Sequence, residues 1–234
     1  MRRRGAVVGS PGYPLAVRNV GVQRTAKTVG DYDALLLLSS DDAPYRSSTA
    51  GLQTAAAVLE RLTQAALPAL LGPATRSVRF GFPSDEGRPP QFADAIRWLG
   101  ARMGVPLGQS YRPPRRKDGG VDVVAWRPFP DTRRGFPVLL VQCTLQRDYV
   151  QKSRDIDLRT WSGWLAFDAD PMTALAIPST VSRDEDWDEM AANVIVLDRL
   201  RLASLLAEAT GGTPIAGQWA QQQAAELRST QEQP

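Results

Sequence analysis

The chain has 234 residues, 43% hydrophobic and 23% charged, which suits a globular protein with one sizeable core and excludes disordered and fibrous classes. It contains no histidine, so catalytic triads, Cys/His dyads, His-ligated zinc and the usual near-neutral general base are excluded. One cysteine excludes an internal disulfide, and a net charge of +3 from 28 basic and 25 acidic residues permits contact with nucleic acid without demonstrating it. What remains is carboxylate chemistry, most readily with a hard metal ion.

Residues 1–45 scatter Gly, Pro, Ser and Thr around the run "DYDALLLLSS", and the expectation is a poorly ordered N-terminal arm. The basic opening "MRRRG" is interrupted by Gly and Pro before a signal-peptide core can form. No apolar run approaches the roughly 18 residues that span a bilayer. These features lead to the expectation of a cytoplasmic protein with no membrane partner. A helix is predicted over "GLQTAAAVLERLTQAALPALLG", with Leu52, Ala55, Leu59, Leu62, Ala66 and Leu70 on its apolar stripe and Glu60 beside it. "SVRFGFP" alternates Val78, Phe80 and Phe82 as a half-buried strand, and "PPQFADAIRWLGARMG" lines Phe92, Ile96, Leu99 and Met103 along a second helix.

"GGVDVVAW" and "PVLLVQCT" then read as adjacent strands joined by the open loop "RPFPDTRRGF". The polar stretch "RDYVQKSRDIDLRTWSGWL" is predicted helical, "TALAIP" and "VIVLD" are strands, "DEDWDEMAAN" is an acidic helix or loop, and "RLRLASLLAEA" is a helix. Residues 46–210 form the folded domain, and the Gln-rich residues 211–234 are expected to be a flexible tail. The fold class is α/β, with a mixed central sheet flanked by helices.

Two hydrophilic residues interrupt the paired strands. Side chains alternate across a strand, so Val138, Leu140, Gln142 and Thr144 share one face and Leu139, Val141 and Cys143 the other. Antiparallel pairing with Trp126 opposite Val138 sets Asp122 opposite Gln142, with Cβ atoms roughly 5 Å apart. A carboxylate and an amide oxygen so placed could share Mg²⁺, whose bound water would be polarised toward a phosphodiester. The bland alternatives are a strand-edge carboxylate bonded to the Gly119-Gly120 turn and a satisfied buried amide. Cys143 reads as a small buried hydrophobe, and Trp161 and Trp164 as core residues, with base stacking the rival use of the tryptophans.

"GGVD" followed 20 residues later by "QCT" resembles the PD-(D/E)xK nuclease superfamily, most closely the Mrr-like branch in which Gln commonly replaces the second acid. The likeness covers roughly residues 52–178. It implies a restriction-endonuclease-like αβββαβ core, with Asp122 and Gln142 as catalytic metal ligands and Glu60 as the helical acid that some members add. The implied cofactor is Mg²⁺ or Mn²⁺. Where the family has lysine this chain has Thr144, so Lys152 is the leading substitute, ahead of Arg147 and Lys117. The basic cluster Arg112, Arg115, Arg116 and Lys117 would contact phosphates. The implied function is a metal-dependent endonuclease acting on double-stranded DNA in defence, with a homodimer or a companion defence subunit as its assembly. The alternative is a catalytically inactive module of the same fold that binds DNA or a partner protein. A third reading, a carboxylate-dependent enzyme acting on a small phosphorylated substrate, is disfavoured by the lack of a Gly-rich phosphate loop after a strand.

Overall fold

The fold is described from a computed structural model, for all residues except 1, 10, 11, 20, 84, 85, 115–117, 210–212 and 232–234. Its centre is a sheet of five strands in sequence order: β3 (Arg76–Arg79), β4 (Val123–Trp126), β5 (Val138–Cys143), β6 (Met172–Ala176) and β7 (Ile195–Leu197). β3, β4 and β5 pair antiparallel, while β6 and β7 continue parallel to β5, so the sheet is mixed as expected. The short helix α1 (Arg2–Val8) and a separate hairpin, β1 (Leu15–Arg18) with β2 (Gly21–Arg24), precede it. The sheet therefore switches from meander to parallel order at β5, where the connection must cross over through helices rather than a tight turn.

Alternation along the strands divides the core into two layers. Val123, Ala125, Leu139, Val141, Ala174 and Ala176 face α2 (Asp31–Leu38), α3 (Thr49–Leu71), α8 (Arg199–Glu208) and α9 (Pro214–Gln231). Val78, Val124, Trp126, Val138 and Leu140 face α4 (Phe92–Met103) and α6 (Leu158–Trp164). Leu175 and Val196 continue that second side under α7 (Glu185–Ala191). Two faces covered by helices explain why the strands carry near-continuous apolar runs rather than strict alternation.

Several elements depart from the sequence reading for physical reasons. The helix over 49–71 starts at the Ser48 cap, whose hydroxyl accepts from the Gly51 N–H. Its buried face is Ala55, Val58, Leu59, Leu62, Thr63, Ala66 and Leu67, whereas Leu52 and Leu70 are exposed. β3 ends at Arg79, and Phe82, assigned to the buried stripe, is exposed. The polar stretch after β5 splits into α5 (Tyr149–Lys152) and α6, because the Asp157 carboxylate caps α6 by accepting from the Arg159 and Thr160 N–H groups.

Residues 31–38, read as part of the N-terminal arm, place Ala34, Leu35 and Leu38 in the core, and the Asp33 carboxylate bonds the Gly30 N–H at the start of α2. Within 211–234, α9 buries Ala216, Trp219, Ala220 and Gln223 at helical spacing. Gln223 Oε1 accepts from the Tyr45 N–H at 2.8 Å, and the Trp219 ring lies 5.7 Å from that of Tyr45. No helix among the described residues is long and apolar enough to cross a membrane.

Candidate functional site

The register is the one inferred from the apolar pattern: Trp126 pairs with Val138 and Val123 with Val141. The paired ladder stops there, and Asp122 and Gln142 are the next residue along each strand, close to the end of the sheet where β4 begins and β5 finishes. The Asp122 main chain ties three strands together there. Its N–H donates to Val141 at 2.8 Å, and its carbonyl accepts from Phe80 at 2.7 Å and Gly81 at 2.9 Å.

The two side chains then diverge in their partners. Asp122 Oδ2 accepts from the Cys143 N–H at 2.7 Å. Its Oδ1 borders the space in front of Gly81, where an added Cβ would lie 3.2 Å from it and 3.1 Å from Glu60 Oε2. A methyl group is slightly too large for that space, so glycine is what lets the two acids converge there. Glu60 arrives from the buried side of α3, one residue after the core leucine Leu59. Burial pushes the Asp122 carboxyl from the ordinary 3.8 up to about 8, and the nearby Glu60 charge adds to the rise. The Cys143 N–H opposes it, as does the Arg79 charge, whereas Asp118 reinforces it. Burial likewise raises the Glu60 carboxyl, against the attraction of Arg79.

Arg79 is the residue that sequence reasoning missed. Its Nε lies 2.7 Å from Glu60 Oε2 in a buried ion pair, its Nη2 donates to the Pro83 carbonyl, and its own N–H donates to Glu86. Strand alternation carried the signal: with Val78 and Phe80 facing α4 and α6, Arg79 must face α3. A basic residue assigned to the polar side of a strand is buried here because α3 covers that side.

Gln142 has different partners from Asp122. Its Nε2 donates to Asp155 Oδ2 at 3.1 Å, and its buried Oε1 has no hydrogen-bond partner. Lys152 Nζ lies 3.4 Å from the same Asp155 oxygen. Lys152 is therefore brought to Gln142 through Asp155. Arg147, the other downstream basic residue, is paired with Asp41. Thr144 is buried, and its hydroxyl accepts from the Gln146 N–H. Arg115, Arg116 and Lys117 lie outside the described residues. Arg112 is exposed, and its carbonyl accepts from Trp164 Nε1 at 2.7 Å. Trp161 and Trp164 are buried core residues in edge-to-face contact, with neither face open for a base to stack on. The Gly119-Gly120 turn is held by Asp118, which accepts from the Gly120 N–H, and not by Asp122. Cys143 packs toward α3, with its sulfur 3.6 Å from the Thr63 hydroxyl, and burial pushes its thiol up. That favours an inert thiol.

No family model matches the chain. No curated protein matches it either. Among solved structures, it is similar to the MspJI restriction endonuclease in complex with a 27-mer oligonucleotide, at 16% identity and a TM-score of 0.29. The match covers 62% of this chain and 32% of that one, so it spans about a third of that protein's length.

Asp122 Oδ1, the Glu60 carboxylate and the unpartnered Gln142 Oε1 are hard oxygens, the kind that Mg²⁺ and Mn²⁺ take. Two observations fit a cation: carboxylates crowded around Gly81, which a positive charge would relieve, and a buried acceptor with no donor. Among the described residues no group of three or more His, Cys, Asp or Glu side chains could hold a metal.

Proposed function

We propose that the chain is a nuclease with a restriction-endonuclease-like core, hydrolysing DNA phosphodiester bonds with Mg²⁺ or Mn²⁺. The observation that carries this reading is the convergence of Asp122 and Glu60 on Gly81 at the same sheet end as the unpartnered Gln142 oxygen. Under this reading Asp122, Glu60 and Gln142 hold the ion. When bound, it supplies a Lewis acid and a counter-charge to the phosphodiester. Asp122 keeps its place through the Cys143 N–H, and Arg79 holds Glu60. Lys152 is the candidate cation in place of the lysine that Thr144 replaces. Duplex DNA is the proposed substrate. Cutting both strands calls for two such sites, which a homodimer or a companion defence subunit would supply.

A second reading, an inactive nuclease-fold module that binds DNA or a partner, is favoured by two observations: Thr144 supplies no cation, and Glu60 is already paired with Arg79. Supercoiled plasmid incubated with the purified protein and Mg²⁺ or Mn²⁺ separates the two. Nicking by wild type and not by Asp122→Ala supports the nuclease. DNA binding without nicking supports the module, and absence of both rejects the nuclease and the DNA-binding form of the module.

A further inference from the structure

Asp155 belongs to no sequence motif, yet it is the link between the two downstream residues that the nuclease reading needs. Its Oδ2 receives both the Gln142 Nε2 donor at 3.1 Å and the Lys152 ammonium at 3.4 Å. The amide orientation follows from chemistry: flipped, Gln142 would aim its oxygen at a carboxylate, setting two acceptors against each other. With Nε2 on Asp155, the oxygen is committed to the opposite direction, and there it is buried with no donor.

Asp155 is itself held in place. Its N–H donates to the Lys152 carbonyl at 3.1 Å in the turn that ends α5. The loop carrying Gly120 presses on it: a Cβ at Gly120 would lie 3.1 Å from the Asp155 carbonyl oxygen, and Gly120 has φ +81, where side chains are strained. On its far side Asp155 walls a cleft of about 620 Å³ that is also lined by Arg112 and Arg154. A group so fixed, bonding a side chain that has one free buried acceptor, has the arrangement by which outer carboxylates orient metal ligands.

We propose that Asp155 is a positioning residue of this site: it fixes the Gln142 amide so that only its oxygen is available to a divalent ion, and it holds Lys152 beside that amide. The inference rests on the nuclease reading, because without an ion the orientation has nothing to serve.

The test combines nuclear magnetic resonance of the Gln142 side-chain amide, assigned by its loss in Gln142→Ala, with Mn²⁺ titration of plasmid nicking. In Asp155→Ala the Gln142 Nε2 protons should lose their protection from solvent exchange. The Mn²⁺ concentration for half-maximal nicking should rise about tenfold or more. The double variant with Gln142→Ala should be no worse than Gln142→Ala alone, because Asp155 acts through that amide. Asp155→Asn keeps an acceptor for Nε2 and should keep the protected amide signal, which guards against a variant that merely misfolds. An unchanged amide signal in Asp155→Ala, or losses that multiply in the double variant, overturns the inference while leaving the nuclease reading intact. A wild-type protein that neither binds Mn²⁺ nor nicks DNA overturns the nuclease reading, and the positioning role falls with it even if the amide responds.

Discussion

Replacing Asp122 with asparagine should stabilise the protein at alkaline pH while abolishing any metal-dependent activity. In the folded protein the carboxyl is pushed from the ordinary 3.8 to about 8 by burial and by Glu60. The folded state therefore holds its proton more tightly than the unfolded chain. The stability it contributes is complete below pH 3.8, falls as pH rises through the interval from 3.8 to about 8, and is flat above. At about 1.4 kcal/mol per pH unit this interval amounts to roughly 5–6 kcal/mol, an upper figure that coupling to Glu60 and entering water would reduce to a few kcal/mol. Asparagine has no proton to lose, still accepts from the Cys143 N–H and can donate toward Glu60. Urea unfolding of wild type and Asp122→Asn at pH 5, 7 and 9, without divalent ions, isolates the effect. The stability difference should move in favour of the variant by a few kcal/mol between pH 5 and 9. Millimolar Mn²⁺ at pH 9 should stabilise the wild type selectively. A difference that stays constant with pH, or moves in favour of wild type, would show that Asp122 is well solvated and that the crowding around Gly81 is not felt.

Gly81→Ala puts a methyl group against both Glu60 and Asp122 and should cost about 1–3 kcal/mol as an overpacking change, read from urea midpoints, with a matching loss of nicking. Glu60→Ala leaves the buried Arg79 guanidinium without its carboxylate and should destabilise by about 3–5 kcal/mol. Changing both residues to apolar ones should recover much of that loss in thermal unfolding. Arg112→Ala should reduce the salt slope of DNA binding by about one if that side chain meets a phosphate, and should leave folding stability within about 0.5 kcal/mol. An unchanged slope removes Arg112 from the interface.

What the sequence revealed, and what it hid, follows from how far each residue's environment is decided by its immediate neighbours. The Trp126 to Val138 pairing agreed with the two apolar runs without being fixed by them, because strands covered on both faces are nearly continuous in apolar residues and several alignments keep both faces buried. Arg79 was legible as to face but not as to burial: alternation assigns it to the side opposite Phe80, and only the long-range docking of α3 turns that side into a dry one. Asp155 sits in a polar stretch without periodicity, and its significance comes from a partner on another strand, so no local pattern singles it out. The run "ALLLL" has no amphipathic period, because helix α2 is enclosed by α8 and α9, and composition alone made it look like an arm. The same holds for α9, where three glutamines in succession disguise a stripe of Ala216, Trp219, Ala220 and Gln223. The site thus divides along one line. The residues on the paired strands were readable from strand chemistry, whereas Arg79 and Asp155 acquire their charge partners only when helices and loops distant in sequence close over the sheet end. An ion-binding role for Asp122 and Gln142 therefore depends on two residues whose contribution no strand pattern could declare, and substitutions at those two are the ones that test the assembled site rather than its parts.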